Sequence, residues 1–407
     1  MKSNINVWNK WDPLKTVMLG SVWSPAFFDG IKNDKIRSPL QRIAEETIAD
    51  LDYFEKVLKD FGSAVVRPEL PDSDSILNYV NGQGQIKSLP RPPLQPRDNQ
   101  IVAGNNLYYN KKSYDSGTEN PAILTALKNN FTINEFSCNE HFPCIIPEQN
   151  YNSIAGADYP SYEYFIHNRT SPSAFKDFVY QELRTYSQCL FWPSSANCFL
   201  IGKDIYVDYN TAMTTNSLKK MFPDVRINVL KNGYSHYDAC FHPLKEGVAI
   251  SEFGFTEYQK TFPNWDICFL QGENWSKISK FFEIKQKNQG KWWVPGEESN
   301  EEFINFVDSW LSNWVGYIEE TLFDVNVLVL DEKHVCVNNM NNKKLLEFLK
   351  KHKIEPVHIP WRHRYFWDGG LHCITLDLDR GGHQVDYFPN RQYPIVECKL
   401  TSESRYD

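Results

Sequence analysis

The chain has 407 residues, 41% hydrophobic and 14% aromatic, with 51 acidic against 43 basic residues and a formal net charge of −8. That apolar content supports a large core, and the charge balance argues against nucleic acid because no basic face is offered to a phosphate backbone. No apolar run approaches the roughly 20 residues that cross a bilayer, and the N-terminal MKSNINVWNKWDP lacks an apolar signal core, so the expectation is a cytoplasmic enzyme with no membrane partner.

Taken in chain order, Ser38-Pro39 predicts a helix start. Ile43, Ile48, Leu51, Phe54 and Leu58 form its apolar stripe and Gly62 its stop. A first unit then pairs strands 100–103 and 107–109 across Gly104-Asn105-Asn106, with a helix over 121–129 and a strand over 131–136. Residues 137–181 are rich in aromatics and are expected as an insertion.

The second unit pairs 198–201 with 205–208 across Gly202-Lys203-Asp204, where glycine tolerates positive φ and aspartate bonds locally. A helix over 217–222 and a strand over 225–230 follow. Residues 265–317 are expected as another insertion. The third unit pairs 325–330 with 334–337 across Asp331-Glu332-Lys333, then a helix over 343–351 and a strand over 354–359. A ββαβ period of 100 to 130 residues is too long for a solenoid and suits units packed around a common axis in one α/β catalytic domain, 1–407.

Cys373 follows Gly369-Gly370-Leu371-His372, a setting that lets a ligand approach the backbone. Taken alone, such a cysteine equally suits a buried structural thiol. His236 and Asp238 form a His-x-Asp pair that would share a face in extended chain. An imidazole near a thiolate can carry its proton. Arg97-Asp98-Asn99, Asn197, Asp324 and Asn326 occupy matching places before the unit strands, so they are expected to converge. Paired carboxylates there suit a planar cation such as guanidinium. Nine cysteines without a CxxC pair suggest mostly free thiols, and His363 and His372 have no partner at ligand spacing, so neither metal nor cofactor is expected.

Six segments carry a family likeness: Trp8-Asn9-Lys10-Trp11-Asp12-Pro13-Leu14, Pro96-Arg97-Asp98, Gly202-Lys203-Asp204-Ile205, His236-Tyr237-Asp238-Ala239, the run Val327-Leu328-Val329-Leu330-Asp331-Glu332-Lys333, and Gly369-Gly370-Leu371-His372-Cys373. In this order, over about residues 7 to 385, the chain resembles the arginine:glycine amidinotransferases and the related inosamine-phosphate and cyanotoxin-pathway amidinotransferases. The resemblance implies the pentein fold, a five-bladed α/β propeller with pseudo-fivefold symmetry, and by analogy a homodimer. It implies Cys373 as nucleophile, His236 as general acid and base, and Asp98 with Asp238 as the clamp on the donor guanidinium. Arg97, Ser235 and Asp324 complete the expected substrate-binding set. L-arginine is the implied donor, a small-molecule amine the acceptor and ornithine the released product.

Two departures stand out. The carboxylate that orients the histidine in the family is replaced by Ser194 or Asn197, which can hold an imidazole but not stabilise its cation by charge. In glycine-using members an arginine after the His-x-Asp motif is thought to bind the acceptor carboxylate, whereas Ile250-Ser251-Glu252-Phe253-Gly254-Phe255 contains none. Glycine is therefore not the expected acceptor. A deiminase- or dihydrolase-type hydrolase and a catalytically weakened binding homologue are the alternatives.

Overall fold

The computed structural model describes residues 2–80, 89–115, 119–136, 194–208, 218–219, 221–230, 236–252, 257–270, 292–315, 324–367 and 369–391. Ser235 and the expected insertion at 137–181 fall outside them.

The strands are β1 (Leu14–Leu19), β2 (Ala64–Val66), β3 (Gln100–Ala103), β4 (Asn106–Asn110), β5 (Asn134–Phe136), β6 (Cys198–Ile201), β7 (Asp204–Asp208) and β8 (Arg226–Leu230). They continue as β9 (Phe241–Lys245), β10 (Val248–Ser251), β11 (Asp266–Phe269), β12 (Leu328–Asp331), β13 (His334–Val337), β14 (Glu355–His358) and β15 (Thr375–Arg380). They form five separate three-stranded sheets, ordered β3-β4-β5, β6-β7-β8, β11-β10-β9, β12-β13-β14 and β15-β1-β2. Each contains one antiparallel pair, and its middle strand takes a third partner in parallel. The parallel partner needs a crossover. Helices Asp34–Asp60, Pro121–Asn130, Glu257–Thr261 and Lys343–Lys351 lie in four of these crossovers, and helical residues 218, 219 and 221 lie in the fifth.

Three sheets coincide with the units read from the sequence. A fourth, built from β9, β10 and β11, includes Asp266–Phe269 at the start of the segment expected as an insertion. The fifth joins strands from opposite ends of the chain, with Met18 facing Leu376 and Leu19 facing Thr375. Local pattern could not disclose that pairing.

The long helix begins one turn earlier than Ser38-Pro39 suggests. Asn33 caps it by accepting from the Lys35 N–H, and Pro39 lies inside. Proline cannot serve the carbonyl four residues back. That carbonyl, Lys35 O, instead accepts from Asn300 Nδ2 at 2.8 Å. Leu40, Ile43, Leu51, Phe54 and Leu58 are buried against β1 and the helix Glu301–Trp310, which contributes Phe303 and Val307 to the same core. Each such burial contributes about 2 kcal/mol. On β15, Leu376 and Leu378 are buried with the polar Asp377 between them.

Candidate active site

Cys373 closes the turn that leads into β15, and its surroundings explain the glycines before it. Gly369 has φ of +120°, and a Cβ there would lie 2.4 Å from the Cys373 Cβ and 2.9 Å from its Sγ. A Cβ on Gly370 would meet the Asn326 side chain at 2.8 Å. Asn326 needs that space: its Oδ1 accepts from the backbone N–H of His372 at 2.8 Å and of Cys373 at 3.3 Å, while its Nδ2 donates to the sulfur at 2.9 Å. One amide thus fixes the turn and solvates the Cys373 sulfur.

The second wall comes from the turn before β9. His236 is extended, with φ −98° and ψ 123°, and precedes a 3-10 turn over Tyr237–Ala239. Strand alternation therefore does not set the direction of Asp238; the 3-10 turn does. Tyr237 goes to the core, where its hydroxyl donates to Val207 O at 3.0 Å, and its backbone N–H donates to Ala196 O at 2.7 Å. Asp238 Oδ2 lies 3.3 Å from Cys373 Sγ, 3.3 Å from His372 Nδ1 and 3.8 Å from Arg97 Nε. Cys373 and Asp238, 135 positions apart in sequence, are thus in contact and buried.

The other candidates divide. Arg97 is fully buried and does not face a ligand: it donates to His372 O at 2.6 Å, Thr375 O at 2.8 Å and Ser195 O at 3.2 Å. It tethers the turn that carries Cys373. Asp98, one residue on, accepts from Arg91 at 3.2 Å and remains partly exposed. Asp324 is buried and its Oδ2 accepts from Asn339 at 2.7 Å and Asn342 at 2.8 Å. Ser194 Oγ accepts from the Ala196 N–H, and its carbonyl accepts from the Asn197 N–H at 3.0 Å. The Ser194–Asn197 turn is held beside the His236 turn by the Tyr237 to Ala196 bond.

No family model matches the chain. It is similar to the mitochondrial glycine amidinotransferases of Xenopus laevis, at 23% identity, and Gallus gallus, at 22%, in each case over 94% of this chain and 84% of the relative. Among solved structures it resembles SxtG, an amidinotransferase from Microseira wollei in the saxitoxin biosynthetic pathway, with a TM-score of 0.57 and 19% identity over 94% of this chain and 99% of the other. It also resembles the inosamine-phosphate amidinotransferase of Streptomyces griseus, with a TM-score of 0.56 and 15% identity over the same shares. Over 94% of its length the chain is thus similar in sequence to amidinotransferases, and it shares their fold.

The candidate site stands on a buried ionic base. Asp377 lies between Lys10 Nζ at 3.2 Å, Arg380 Nε at 3.1 Å and Arg97 at 3.7 Å. Burial opposes its ionisation, but Arg380, Lys10 and Arg97 together hold it well below the usual carboxylate range. Burial lowers Lys10 to about 8, and burial with Arg97 nearby holds His372 well below its ordinary value, so the His372 ring beside Asp238 is neutral. His242 meets His372 edge-on at 4.6 Å and is neutral for the same reason of burial. Among the described residues no group of three or more His, Cys, Asp or Glu could hold a metal ion, and no helix is long and apolar enough to cross a membrane.

Asn326 and Glu252 are the residues whose roles the sequence reading did not isolate. Asn326 was visible as one of several polar groups before a unit strand, with no signal that it would reach the sulfur. Glu252 registered only as a position in a stretch without arginine.

Proposed function

We propose that this amidinotransferase moves the amidino group of L-arginine to an amine other than glycine through an amidino-Cys373 intermediate. The observation that supports this reading is the contact of the Cys373 thiol with the Asp238 carboxylate, beside the Asn326 amide and two residues from His236. In the resting site the Cys373 thiol donates to Asp238 Oδ2 at 3.3 Å. A guanidinium arriving on Asp238, with Asp98 as the second carboxylate of the clamp, takes over that hydrogen bond, and its positive charge favours the thiolate.

The sulfur then attacks the guanidinium carbon. An S–C bond forms, the bond from that carbon to the side-chain nitrogen of arginine breaks, and His236 gives the departing amine its proton, releasing ornithine. The acceptor amine, losing a proton to His236, attacks the same carbon and the S–C bond breaks. Ser194 or Asn197 takes the place of an orienting carboxylate for His236. In this reading the five sheets are the blades of a pseudo-fivefold α/β propeller, and the reactive turns both precede the first strand of a blade.

The test is incubation with guanidino-labelled arginine, with and without a panel of amines. One equivalent of ornithine and one label on Cys373 per chain are expected without amine, and turnover only with it. Citrulline formed without amine would overturn transfer in favour of hydrolysis. Failure of both label and product would overturn the catalytic reading.

A further inference from the structure

We propose that Glu252 and Asp324 form the seat for a distal ammonium group of the substrate, so that the acceptor is a diamine whose second, unreacted nitrogen is held there as a cation. The inference rests on the amidino-transfer reading and names the substrate class of the same site.

Glu252 follows β10. Its backbone N–H donates to Cys240 O at 2.8 Å, which ties it to the segment carrying Asp238. Asp324 lies two residues before Asn326, the amide bonded to the Cys373 sulfur. The two carboxylates thus stand on the two segments that flank the nucleophile. Burial, and after it the charge of Asp324, raise the Glu252 carboxyl to about 8.

Glu252 has no exposed surface, and among the described residues neither its Oε1 nor its Oε2 has a hydrogen-bond partner; Asp324 Oδ1 has none there either. Unpaired buried carboxylate oxygens are costly, and structures retain them where a ligand completes them. The cation that acts on Glu252 from within the protein is Lys344, an exposed side chain at the start of helix Lys343–Lys351. An ammonium carries three donors, matching the three free oxygens. A carboxylate in this place, such as the far end of an amino-acid acceptor, would meet the Asp324 charge that already acts on Glu252.

The test uses three acceptors of one chain length: 1,4-diaminobutane, 1-aminobutane and 4-aminobutanoate. Supplied in pairs at equal concentration with arginine, they compete for the same amidino-enzyme, so the product ratio does not depend on the donor step. The diamine should be favoured over the monoamine by about tenfold, and Glu252→Gln should bring that ratio near unity. Equal use of the monoamine, preference for 4-aminobutanoate, or a ratio unmoved by Glu252→Gln overturns the seat. If arginine alone yields no ornithine, the transfer reading fails separately. Calorimetric binding of 1,4-diaminobutane to the resting protein, weakened about tenfold in Glu252→Gln, would still uphold the ammonium seat, and absence of binding would overturn it. A melting curve for the variant confirms that it is folded.

Discussion

Asp377 and Glu252 are both buried acids, yet their environments are opposite. Asp377 is surrounded by Lys10, Arg97 and Arg380 and stays ionised; Glu252 has no hydrogen-bond partner and is pushed up to about 8 by burial and by Asp324. The first charge is compensated inside the chain and braces β15. The second has no hydrogen-bond partner for either oxygen among the described residues, and its proposed role as a binding position rests on that. Internal compensation thus separates scaffold from site better than burial does.

The strongest way to break this contrast is Arg97→Met. It removes the donor to three carbonyls and one of the cations beside Asp377 and Asp238, and should cost about 3–5 kcal/mol in urea unfolding. A loss under 1 kcal/mol would mean that the ionic base does not brace the turn.

Next comes Glu252→Gln, which should raise stability by about 2–4 kcal/mol at pH 9. The sign follows from the raised folded pKa. Below about 4.5 the carboxyl is protonated in both states and the residue contributes no penalty. Between 4.5 and about 8 the folded state holds more protons, so stability falls as pH rises, and the variant escapes that fall. Asp377 has the opposite slope: its stabilisation is present above its ordinary value of 3.8 and is lost as pH drops. Parallel urea titrations of both proteins from pH 4 to 9 measure the difference, and a gap that does not widen with pH would count against an unpartnered Glu252.

The smallest effect expected is for Asn326→Ala. Loss of the 2.9 Å donor to sulfur should slow iodoacetamide alkylation of Cys373 about tenfold and move its pH profile upward. An unchanged profile would assign Asn326 to the backbone of the turn alone.

Much of the fold was legible because three units keep both strands and turn in one short stretch. Gly202, with φ of +56°, sits in such a turn. The sheet of β9, β10 and β11 was overlooked because Pro243 interrupts β9, which the sheet tolerates at its edge, and because β11 lies in aromatic-rich sequence. In the site, the glycines pointed to Cys373 and the His-x-Asp spacing to Asp238. The direction of Arg97 was open because a long side chain can reach inward or outward, and sequence does not say which. Glu252 was unreadable in kind: its meaning comes from the absence of a partner, which only packing can establish.

The pairing of β1 with β15 also orders events in time. During synthesis β1 emerges first and can join β2, but its other edge stays open until residues 375–380 arrive. At ribosomal speed that interval is roughly tens of seconds. An exposed apolar strand edge over that interval invites wrong partners, so the last-made strand both shields the first and brings Cys373 to Asp238, and the candidate site cannot assemble in a nascent chain before that vulnerable edge is covered.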